Sequence, residues 1–143
     1  MNEDKTAVLD AFLSKPLLLA RIATTGKNGQ PHVVPVWYLW EDGALWISSF
    51  ASTRHVRELR ADPRCSILID EAPTGEINYG VIFEGRVELI TEPRELVEAM
   101  AEKIYTRYLG PVGVKKPDPQ SWIYDPENLI IKLTPDWMKV WGI

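Results

Sequence analysis

The stretch with the clearest chemistry is Ser48-Ser49-Phe50-Ala51-Ser52-Thr53-Arg54-His55-Val56-Arg57. A hydroxyl-rich strand runs directly into a helix whose first turn carries Arg54 and His55. Cations are disfavoured there, because the exposed N–H groups of a helix start already present partial positive charge. An anion among them would reverse that cost. Helix N–H groups, serine hydroxyls and a forked guanidinium together suit a phosphate group. The competing explanation is that Arg54 and His55 simply point into solvent. A second stretch, Pro31-His32-Val33-Val34-Pro35-Val36-Trp37-Tyr38, places a proline inside a strand pattern. Proline donates no ladder hydrogen bond, so Pro35 marks an edge, a bulge or a break. Backbone groups freed by such a break could face a planar heterocycle, or the proline could merely protect an edge.

Other chemistries lack their residues. There is no G-x-G-x-x-G, P-loop, H-E-x-x-H or G-x-S-x-G pattern. Two histidines, His32 and His55, and one cysteine, Cys65, leave no expected metal site and no internal disulfide. Cys65 lies in an apolar run and reads as a buried structural thiol. Gly26-Lys27-Asn28-Gly29 resembles a G-X-X-G loop, but strand-like flanks make it a hairpin turn. Glu58 with Arg57, and Glu95, Glu98 and Glu102, read as solvated helix faces.

The elements that must position these residues follow from periodicity. Residues 3–14 read as a helix with Ala7, Val8, Ala11 and Phe12 on its apolar face. Strands are expected at Leu17 to Thr25, Pro31 to Leu39, Ala44 to Phe50, Cys65 to Asp70, Tyr79 to Ile90 and Leu129 to Leu133. The first three should form consecutive hairpins. A two-turn helix follows Ser52-Thr53, and a longer one follows Thr91-Glu92-Pro93, carrying Leu96, Met100, Ile104 and Tyr108 on one face to Gly110. Residues 111–120 read as a loop. Six short antiparallel strands with three helices predict a mainly β fold, a six-stranded barrel with flanking helices, as a single domain over 1–143.

The chain of 143 residues has a net charge of −4, which argues against a nucleic-acid partner. No apolar run approaches the roughly 18 residues of a membrane span, and no signal peptide is legible, so a cytoplasmic location is expected. Six tryptophans suggest surface buried against a partner.

The ordered set of motifs resembles the pyridoxamine 5′-phosphate oxidase-like, FMN-binding split-barrel family. It runs from Ala23-Thr24 through Gly29-Gln30-Pro31-His32-Val33-Val34-Pro35-Val36-Trp37 to Leu45-Trp46-Ile47-Ser48-Ser49. Thr53-Arg54-His55-Val56-Arg57-Glu58-Leu59-Arg60-Ala61-Asp62-Pro63-Arg64 continues it. Phe83-Glu84-Gly85-Arg86-Val87, Arg107-Tyr108-Leu109-Gly110, Leu133-Thr134-Pro135 and Val140-Trp141 add to it. The resemblance implies an FMN-binding split barrel acting as a homodimer, with cofactor at the subunit interface. It implies that Val34, Pro35, Val36 and Trp37 line the flavin ring and that Ser48 and Ser49 meet its edge or the ribityl chain. Thr53, Arg54 and His55 would bind the phosphate, and Trp141 would approach the cofactor of the opposite subunit. Where many relatives carry lysine this chain has His55, only partly charged near neutral pH. The implied function is a flavin oxidoreductase moving a hydride to or from a small organic substrate. The alternatives are a reductase using the deazaflavin coenzyme F420 and a flavin-binding protein without turnover.

Overall fold

The computed structural model describes residues 3–76 and 78–143. Helix α1 (Glu3–Leu13) leads into β1 (Ala20–Thr25), a short 3-10 turn (Lys27–Gly29), β2 (Pro31–Val36), β3 (Leu39–Glu41) and β4 (Ala44–Phe50). Then come α2 (Arg54–Ala61), β5 (Arg64–Glu71), β6 (Tyr79–Ile90), α3 (Arg94–Gly113), α4 (Pro117–Ile123), β7 (Asn128–Leu133) and β8 (Trp137–Trp141). All strand pairings among the described residues are antiparallel, in the order β2-β1-β5-β6-β7-β4-β3, with β8 on β6. This is a mainly β split barrel with flanking helices, as expected.

Among the described residues the strand count is eight rather than six. The apolar run from Pro31 to Leu39 is two strands, because the chain leaves the ladder at Trp37-Tyr38. β2 and β3 consequently sit at opposite ends of the strand order, and the expected three-strand meander is instead two separate hairpins. A two-residue link between the ends of a sheet requires that sheet to curl on itself, which is the structural meaning of the barrel. The eighth strand, β8, continues β7 along the same neighbour. Leu133 faces Val87 and Trp137 faces Glu84, so the β7–β8 side carries one extra residue. That bulge presses on Gly85, where an added Cβ would lie 3.0 Å from the Leu133 side chain.

Two apolar cores lie on the two sides of β4. Inside the barrel, Ile22, Leu45, Ile47, Ile67, Phe83 and Ile131 pack with Leu9, Phe12 and Leu13 of α1. On the other side Trp46, Ile130, Val97, Met100, Ala101, Ile104 and Tyr105 pack α3 against the sheet. Phe12 of α1 and Met100 and Ile104 of α3 are buried as expected, but the α1 face is shifted by one position and the α3 face is broader. In α1 the buried residues are Leu9, Phe12 and Leu13, while Val8 is exposed. In α3, Val97 and Tyr105 turn inward and Leu96 outward. The expected loop 111–120 holds the start of α4, whose Pro117 and Pro119 occupy the first turn, where no N–H is needed. Cys65 is buried as expected, and burial pushes its thiol up to about 12.

Candidate functional site

The hydroxyl-rich end of β4 delivers the chain to the start of α2. Thr53 is the N-cap residue in extended conformation, but its hydroxyl donates back to the Phe50 carbonyl at 2.9 Å and caps nothing. The N–H groups of the first turn therefore have no side-chain cap, the arrangement that receives an anion. The fold divides the two residues that follow. Arg54 lies outside, its Nε donating to Glu58 at 3.2 Å. His55 turns inward, with Nε2 2.9 Å from the Ser49 hydroxyl. Burial, and next the neighbouring His32, lower the His55 pKa below its ordinary value of 6.5, so near neutral pH the ring is uncharged.

Glu58, expected on a solvated face, is instead the hub of this site, with its side chain only 12% exposed. It accepts from the Thr24 hydroxyl at 2.7 Å and lies 3.1 Å from His32 Nδ1, besides its bond from Arg54. The Thr24 hydrogen bond is the main influence holding its carboxyl below the usual range, against desolvation and with help from Arg54. Its spacing of four residues from Arg54 was the one sequence signal for this pairing. Thr24 and His32 gave none.

Strand alternation separates the two serines of β4. Ser49 faces the barrel interior with His55. Ser48 faces α3, donating to Asn128 Oδ1 at 2.6 Å and lying 3.0 Å from the Tyr105 hydroxyl. Trp37 joins that second group, stacked on Tyr108 at 4.7 Å between centroids and edge-on to Tyr105 at 5.8 Å. Val34 and Val36 pack against the barrel core, whereas Pro35 stands on the outer face in register with Arg21. Trp141 is held at a corner of that outer face. Its Nε1 donates to Asn78 at 3.1 Å, and its ring fills the space that Gly80 leaves by having no Cβ. The candidate residues thus form two clusters on opposite sides of β4, with Pro35 and Trp141 on the outer sheet face.

Along α2, from Arg54 to Asp62, is a cavity of about 370 Å³ lined by Lys27, Arg54, Arg57, Glu58 and Asp62 among others. Asp62 is engaged by Arg64, at 3.0 and 2.7 Å, which holds its carboxyl at about 2. The Arg54 guanidinium and the uncapped first-turn N–H groups are donors of the kind that receive a phosphate. Among the described residues no group of three or more His, Cys, Asp or Glu side chains is placed to hold a metal ion, and no helix is long and apolar enough to cross a membrane.

The fold is shared with several solved structures. A conserved hypothetical protein, Rv2991 from Mycobacterium tuberculosis, is 26% identical with a TM-score of 0.80, over 99% of this chain and 85% of that one. An F420 reductase is 21% identical with a TM-score of 0.70, over 91% of this chain and 94% of that one. A FAD-binding protein from Mesorhizobium loti is 22% identical with a TM-score of 0.60, over 94% of this chain and 87% of that one. No curated protein matches the chain. The family model described as pyridoxamine 5′-phosphate oxidase matches residues 6–142, nearly the whole length, and the chain belongs to that family.

Proposed function

We propose that the protein is a flavin-dependent oxidoreductase, binding FMN at the interface of a homodimer and moving a hydride to or from a small organic substrate. The observation that carries this is the uncapped start of α2, with Arg54 beside it and a cavity at hand. Thr53, Arg54 and the first-turn N–H groups would hold the phosphate. His55, neutral and fixed by Ser49, would contribute orientation rather than charge. Val34, Pro35, Val36 and Trp37 would line the ring, and Ser48 and Ser49 would reach its edge or the ribityl chain from opposite faces of β4. The bound cofactor supplies the hydride chemistry; the chain's residues bind it, orient it and exclude water.

The outer sheet face supports the dimer. Val33, Ala23, Ser66, Glu84 and Trp137 form one row across it by register, with Val33 62% and Trp137 48% exposed. A second copy on this face would cover those apolar groups and bring Trp141 toward the other subunit's cofactor. A cytoplasmic location belongs to the same proposal.

The deazaflavin coenzyme F420 is the second candidate, suggested by the likeness to an F420 reductase. Absorbance and fluorescence titration of the purified protein with each cofactor tests both. Tight binding of FMN supports the first, and of the deazaflavin alone the second. A protein that binds neither would overturn the proposal. One that binds FMN yet oxidises no reduced nicotinamide and turns over no pyridoxamine phosphate would be a flavin carrier.

A further inference from the structure

The turn between β1 and β2 leans directly over α2. Gly26 makes this approach possible, since a Cβ there would collide with the Glu58 carboxylate. Asn28 and Gly29, at φ 64° and 78°, then carry the chain back into β2. Lys27 is thereby held on the wall of the same cavity as Arg54 and Arg57.

The charges around this cavity do not cancel. Glu58 is matched by Arg54 and Asp62 by Arg64. Lys27 and Arg57 have no side-chain hydrogen bond or ion pair among the described residues, and both are exposed. Two unmatched cations therefore line a cavity that runs along α2, in a chain whose net charge is −4. Arg57 follows Arg54 by three residues, so it lies about one helical turn further along the same face. A single phosphate seated on Arg54 and the first-turn N–H groups would leave Arg57 and Lys27 facing the next part of the ligand. The cavity of about 370 Å³ falls within the roughly 300–1,000 Å³ range of small-molecule sites, more room than one phosphate needs.

We propose that Lys27 and Arg57 form a second anion subsite, which selects cofactors carrying a further negative group beyond the first phosphate. This rests on the flavin reading above and deepens it. The shared chemistry is an anion one helical turn past the phosphate, supplied either by a second phosphate, as in FAD, or by an acidic tail, as in the deazaflavin coenzyme.

The test is a set of dissociation constants from tryptophan fluorescence for FMN, FAD and the deazaflavin coenzyme, measured on the wild type, on Arg54→Ala and on the double variant Lys27→Gln/Arg57→Gln. Both glutamine substitutions are on exposed side chains, and circular dichroism checks that the fold is kept. The wild type should bind FAD or the deazaflavin coenzyme more tightly than FMN. The double variant should weaken the preferred ligand by roughly tenfold or more, the worth of a charge-assisted hydrogen bond, and change FMN by less than about twofold. Whichever larger ligand responds identifies the phosphate or the acidic tail as the second anion. Equal weakening of all three ligands, or none, would overturn the subsite. If FMN binding then still depends on Arg54, the flavin reading survives alone; if the wild type binds none of the three, both fail.

Discussion

Glu58 ties together β1 through Thr24, β2 through His32 and its own helix through Arg54. It thereby fixes the guanidinium that would meet a phosphate. Arg54→Ala should weaken a phosphate-bearing flavin by about 1.5–3 kcal/mol, read as the change in its dissociation constant. An unchanged constant would remove Arg54 from the site. His55 supports a second prediction. Its folded pKa is depressed, so the unfolded chain binds the proton more readily and acid favours unfolding. This contribution is complete above about pH 6.5 and is lost as pH falls through the lower folded value. Denaturant midpoints taken from about pH 8 down to pH 5 should decline, and His55→Asn should flatten that decline. An equal slope in the variant would place the titrating group elsewhere.

At the scale of elements, the link at Trp37-Tyr38 is what places the two halves of the site. Arg107 of α3 clamps it. The guanidinium donates to the carbonyls of Tyr38 at 3.1 Å, Ser14 at 3.0 Å, Leu13 at 3.1 Å and Lys15 at 2.7 Å, and lies over the Tyr38 ring at 4.7 Å. Arg107→Ala should cost about 3 kcal/mol or more in urea unfolding, because several carbonyls lose a shared charged donor. Arg107→Lys should restore little, since an ammonium cannot span that set. A loss below about 1 kcal/mol would mean that the link is held by packing alone. The same clamp explains what sequence could and could not reveal. β4 at Ala44–Phe50 and β6 at Tyr79–Ile90 follow from local alternation and match expectation. The break between β2 and β3 does not, because Val36 to Leu39 is unbroken apolar sequence and its clamp lies 69 residues away. Glu58 was hidden for the same reason: its partners Thr24 and His32 are distant in the chain. Ser48 and Ser49 were legible as hydroxyls at a strand end, but their separation onto opposite faces needed the register of β4.

At the scale of the whole molecule, the outer sheet face decides whether the site is complete in one copy. Trp141 stands on that face with Asn78 and Gly80, away from the Ser49–His55 pair, so a role at the cofactor requires a neighbouring copy. Val33→Asp tests this without disturbing the core, because Val33 is 62% exposed in the single chain. Light scattering of the wild type should give about twice the 16.3 kDa chain mass, and the variant should fall toward 16.3 kDa. If a second copy covers this face, a carboxylate at position 33 would be buried there without a partner, which is why one substitution suffices. Flavin affinity should fall together with the dimer if Trp141 of the second copy helps to hold the ring. A monomeric variant that keeps full affinity would confine the site to one chain, and a variant that stays dimeric would move the interface to another surface.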